Sequence, residues 1–94
     1  MVQRIHGDFN GLFGSLLCIS HTDHAETETG ETLLLAEGME LIAFERDMEE
    51  GKEVFLVARG RAVPSPPDLQ CLGSTWCLKI DKGGVRHVSE LNDA

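Results

Sequence analysis

The sequence predicts an all-β fold, a small barrel of five or six antiparallel strands, on three observations. Ten glycines divide the 94 residues at short intervals, leaving apolar runs of strand length between turn signals rather than long helical stripes. "TWCLKI" (75–80) alternates Trp76, Leu78 and Ile80 against Cys77 and Lys79, the period of two that buries one face of a strand. "EVFLVARGRAV" (53–63) is rich in branched residues and is stopped by "PSPP", where proline cannot donate to a ladder.

Taken in order, the strands are expected at 12–20, 32–36, 39–46, 53–63, 75–81 and 85–88. The first two are the apolar runs "LFGSLLCIS" and "TLLLA". The third, within "MELIAFERDMEE", has a competing helical reading through Met39, Ile42, Ala43 and Arg46. Gly38 and Gly51 leave that window short for a free-standing helix, so it is read as strand, followed by an acidic loop from 47 to 52. In the fourth, Gly60 signals a bulge or a sharp bend, as a small barrel needs at its corners. The last two are read as a hairpin, with the glycines of "DKGGV" at its turn. Residues 20–31 and 64–74 are read as long exposed loops, and a single helical turn capped by Ser89 is expected near Ser89–Leu91.

The short strands, glycine corners and closing hairpin followed by "HVSEL" resemble the Src-homology-3-like small barrel over residues 36–91. The alternative is a barrel similar to the oligonucleotide/oligosaccharide-binding type, with residues 1–20 supplying the first strand. Either likeness concerns the fold alone, and fold does not carry function.

Length bounds the rest. Ninety-four residues make a single domain, 1–94, able to bury about 60–70% of its unfolded surface. Sixteen acidic residues against eight Lys and Arg give a net charge of −8. Nucleic-acid binding draws on neutralised phosphates, and this chain's closest basic cluster is Arg59 with Arg61, so nucleic acid is not the expected partner. An acidic surface suits solubility, a basic partner or cations. Three cysteines, at 18, 71 and 77, cannot form a complete disulfide framework, and reduced thiols in a cytoplasmic protein are expected. A pairing of Cys71 with Cys77 is left open by the spacing. Asp8, Asn10, Gly11 and Gly14 interrupt the apolar stretch near the N-terminus, which is therefore not read as a signal peptide. No run reaches the 18 or so apolar residues of a spanning helix, so no membrane association is expected.

Chemistry-bearing residues concentrate in "CISHTDHAE" (18–26). Its His21-Thr22-Asp23-His24 resembles the last four positions of the metallo-β-lactamase-type His-x-His-x-Asp-His motif, but the position of the first His holds Ile19, and that activity is not carried over. A zinc site from Cys18, His21, His24 and Cys71 is the alternative reading of these residues, since zinc takes four Cys or His ligands. Cys77 falls inside a strand pattern that accommodates it as a small apolar side chain. Cys71 lies in a loop that His87 of the last hairpin could approach, but no spacing demands a nucleophile beside a base. The glycines of "GDFNGLFG" lack the Lys-Ser/Thr and the helix of a phosphate loop. No catalytic residues are assigned and no cofactor is expected beyond the zinc alternative.

Surface recognition remains, and the expected function is a non-enzymatic protein-binding module with an acidic surface. The expected contact residues are His21, Asp23 and His24 on one loop, Asp47, Glu49 and Glu50 on another, and Trp76 as an anchor. The two loops are expected to share one rim of the barrel and to attract a basic protein, and an exposed strand edge offers a route to a homodimer.

Overall fold

The computed structural model describes residues 2–67 and 75–91, and these are all-β apart from short 3-10 geometry. The strands are β1 (Gln3–His6), β2 (Leu12–Phe13), β3 (Leu16–Ser20), β4 (His24–Glu26), β5 (Thr32–Leu34), β6 (Glu40–Glu49), β7 (Lys52–Pro64) and β8 (Trp76–Val88). Six of them form one curled sheet in the order β1-β6-β7-β8-β3-β2, and β4 pairs with β5 separately. The expected closed barrel is not formed: the sheet is a half-barrel with β1 and β2 as its two edges. Nor is it wholly antiparallel, because β1 lies parallel to β6, with Gln3 opposite Leu41 and His6 opposite Phe44.

The open side has a physical cause. The chain leaves β1 and crosses to the opposite edge in a few residues, through a 3-10 turn at Phe9–Gly11 whose N-cap is Asp8; the Asp8 carboxylate accepts from Asn10 N at 3.0 Å. Gly7 makes this crossing possible. A Cβ there would lie 3.3 Å from Ala43 Cβ on β6 and 3.6 Å from a Leu17 methyl on β3, so strands three places apart in the sheet approach one another across this residue. The 3-10 turn packs against β3, and β4 packs against both β1 and β3 on this side.

Ile5, Leu17, Leu41 and Leu78 are completely buried inside the curl, with Ala43, Ala58 and Ala62 between them and Ala25 and Leu35 added by the β4–β5 segment. Each large side chain contributes about 1.5–3 kcal/mol by leaving water. A smaller cluster of Ile42, Phe44 and Val57 occupies the opposite face, covered by Val2, Phe55, Val88 and Leu91. Burial on both faces explains why "LIAF" reads as a continuous apolar run. Strand wins over helix there because each alternate side chain finds a cluster on its own side.

Three local expectations are corrected. Residues 81–88 do not turn back in a hairpin: β8 is one strand whose two halves both pair with β7, Gly60 opposite Ile80 and Ala58 opposite Val85. Asp81, Lys82, Gly83 and Gly84 are extruded between those pairs as a bulge, in which Asp81 Oδ1 accepts from Gly83 N at 2.9 Å and Gly84 takes φ +64°. The long β7 offers a continuous partner to both halves, and that outweighs the turn signal. The acidic loop from 47 to 52 is instead strand up to Glu49, closed by a two-residue turn with Glu50 at φ 52° and Gly51 at φ 77°, the left-handed pair that matches sheet twist. The exposed loop of residues 20–31 contains β4, with Ala25 and Thr27 buried and Ile5 bridged to Thr27. The expected helical turn lies at the limit of the described residues: Ser89 and Glu90 are bends, and 3-10 geometry is reached only at Leu91. Most of the loop expected at 64–74 lies outside them. No helix among the described residues is long and apolar enough to cross a membrane.

Candidate functional site

The segment after β3 is a folded polar knot rather than an open loop. Ser20 Oγ donates to His24 O at 2.6 Å and accepts from Thr22 N at 3.0 Å, while His24 N donates to Thr22 Oγ1 at 3.1 Å. Hydroxyls one turn apart thus satisfy the backbone groups that a ladder would otherwise pair. Thr75 clamps the knot to the start of β8: its N donates to Ser20 O at 2.8 Å and its Oγ1 to His21 O at 3.0 Å. Trp76 Nε1 donates to Asp23 Oδ1 at 3.0 Å, with the ring packed against the main core. His21, Asp23 and His24 are exposed and Trp76 is half-buried.

These four expected contact residues therefore come together, but Asp47, Glu49 and Glu50 do not join them. Trp76 pairs with Pro64 at the end of β7, whereas Glu49 pairs with Lys52 at its beginning. The strand between them has 13 residues, a path of about 40 Å at roughly 3.3 Å per residue. The shared rim is thus split between the two ends of the molecule. Register is what separates them, because the 47–52 segment extends its strands instead of looping back over the sheet.

Cys18 is disulfide-bonded, whereas Cys77 is a free thiol, fully buried. The expectation of reduced thiols is corrected at Cys18, and the pairing of Cys71 with Cys77 that the spacing left open is not formed, because Cys77 is free. An odd count excludes a complete framework but leaves room for one bridge. In this state the sulfur of Cys18 is no thiolate and offers no metal the donor that the zinc reading assigns to it. Cys71 lies outside the described residues. Among the described residues, no three His, Cys, Asp or Glu side chains form a group that could hold a metal ion.

The acidic end is an arm. Asp47, Met48, Glu49 and Glu50 are all exposed, Met48 to 62%, and the Arg46–Glu53 pair at 3.2 Å bridges the two strands. A second charged surface was missed from the sequence. Arg61 lies directly opposite Lys79, and Arg86 opposite Val57; Arg59 and Arg61 share the Glu40 carboxylate at 3.4 Å each. The only signal in the sequence was the i, i+2 spacing of Arg59 and Arg61, which puts both on one strand face. Their neighbours from β8 required the register across the bulge.

A scan against protein-family models and searches of curated proteins and of solved structures found no match to this chain.

Proposed function

We propose that this protein is a non-enzymatic interaction module that engages a basic protein partner through the acidic end of the β6–β7 hairpin. One observation carries this reading: Met48, a large apolar side chain 62% exposed, stands among Asp47, Glu49, Glu50 and Glu53 at the end of a hairpin arm. In that position it adds nothing to the core. Methionine adapts its shape to a partner's apolar surface, and the surrounding carboxylates steer a cationic one from a distance. The completed partner contact would be an apolar centre ringed by charge pairs.

The test replaces Met48 with a photoreactive methionine analogue and identifies crosslinked proteins by mass spectrometry. Basic proteins should be captured at low ionic strength. Capture should fall when Asp47, Glu49 and Glu50 are changed to Ser, and again in about 0.5 M salt, where the screening length drops to about 4 Å. Crosslinks that survive both changes, or none at all, would refute the assignment.

A further inference from the structure

The cationic face of β7 and β8 has no role in that reading. Arg59, Arg61 and Lys79 line a groove of about 440 Å³ together with Gly60, Val63 and Ile80. Arg59 also lines an adjoining depression with Lys82, Gly83, Gly84 and Arg86, so the two meet at Arg59 and Asp81. Five of the chain's eight cations therefore border one surface of a protein that carries sixteen carboxylates. The carboxylates on the same surface are Glu37, Glu40 and Asp81. Glu40 is shared by two guanidiniums, and Asp81 holds the Gly83 amide. Lys79, Lys82 and Arg86 make no ion pair among the described residues.

Glu40, opposite Arg61 on β6, offsets part of this positive charge, and Lys79 lies on the other side of Arg61. Like charges directly across a ladder, as at Arg61 and Lys79, are destabilising, and a bound anion relieves the repulsion. The bulge adds shape. By extruding four residues opposite Arg59 it widens the groove and brings Lys82 and two side-chain-free glycines to its wall.

We propose that this groove binds a soluble, multiply phosphorylated small molecule. Arginine forks match phosphate oxygens in pairs, which favours phosphate chemistry over a diffuse attraction to any anion. Extent argues for more than one phosphate. From Arg61 to the level of Val57, where Arg86 sits, β7 advances four residues, about 13 Å at roughly 3.3 Å each, which is farther than one phosphate group reaches. Val63 and Ile80 provide an apolar wall for whatever carries the phosphates. The site lies apart from the acidic hairpin end, and occupancy of one does not depend on the other.

The test titrates the isotopically labelled full chain with sodium tripolyphosphate, and separately with inorganic phosphate, at constant ionic strength, reading backbone amide shifts. Tripolyphosphate should give saturable changes confined to Arg59, Gly60, Lys79, Lys82, Gly83 and Gly84, with monophosphate binding more weakly. The double variant Lys79→Met, Lys82→Met removes two cations that hold no ion pair among the described residues, so it should keep the dispersed spectrum while weakening tripolyphosphate by about tenfold or more. Arg59→Lys should weaken it too, because a lysine cannot make the paired contact. Equal affinity in the double variant, shifts spread equally to Arg4, Arg46 and Lys52, or the absence of saturation would overturn the proposal.

Discussion

Gly60 is the position at which one added methyl group should do most damage. A Cβ built there lies 2.0 Å from Lys79 O, 2.7 Å from Lys79 C and 3.0 Å from Ile80 Cα. All three obstacles are backbone, so no rotamer change relieves the overlap. Restoring ordinary contact requires β7 and β8 to part by roughly 1.4 Å, enough to stretch a ladder bond of about 2.9 Å beyond hydrogen-bonding range. Each lost bond costs about 1 kcal/mol, more where a buried group is left unpaired. With two such bonds and the overpacking itself, Gly60→Ala should cost about 2–4 kcal/mol. That is a large share of the 5–15 kcal/mol or so that holds a domain together. Urea unfolding followed by Trp76, the single tryptophan, measures it: with a slope of about 1 kcal/mol per molar, the midpoint should fall by about 2–4 M or the variant should be unfolded in water. Gly83→Ala is the control, since its Cβ meets only the Asp81 carboxylate at 3.2 Å, and it should stay within about 0.5 kcal/mol of wild type. If Gly60→Ala unfolded at the wild-type midpoint, the close crossing of β7 and β8 would be wrong.

Glu50 occupies a left-handed position at φ 52° that favours Asn or Gly, so Glu50→Asn should raise stability by about 0.5–1 kcal/mol in the same urea experiment; a loss would argue against the two-residue turn. Asp23→Ala removes the acceptor of the Trp76 indole and should cost about 1 kcal/mol and shift Trp76 emission to the red. Asp23→Asn, which keeps an acceptor oxygen, should recover much of both, and equal loss in the two variants would refute the contact. Cys77, free and fully buried, should resist iodoacetamide in the native protein and react on unfolding. Cys18 should be alkylated only after reduction, because it is disulfide-bonded. Mass mapping of the modified peptides distinguishes these outcomes.

The sequence by itself determined the class of fold and most of the strand positions. It could do so because alternation at "TWCLKI", branched residues in "EVFLVARGRAV" and glycine punctuation are local facts, set by the chain's own period and backbone freedom. An irregularity near Gly60 was legible, since glycine inside a strand pattern has few other uses, but the residues extruded there belong to β8 and Gly60 itself is a close approach to the Lys79 backbone. Residues 24–26 were missed because Ala25 and Thr27 alternate too briefly in a polar stretch to register. The grouping of His21, Asp23, His24 and Trp76 became visible only through the long-range side-chain bond from Trp76 to Asp23. What only the tertiary structure decided was pairing: that β8 continues past its glycines along β7, that the acidic arm lies at the far end from Trp76, and that Lys79 and Arg86 join Arg59 and Arg61 on one face. Those outcomes depend on register between segments far apart in sequence. Register is set by which side chains fill the common core, a sum over the whole molecule that no single stretch of residues contains.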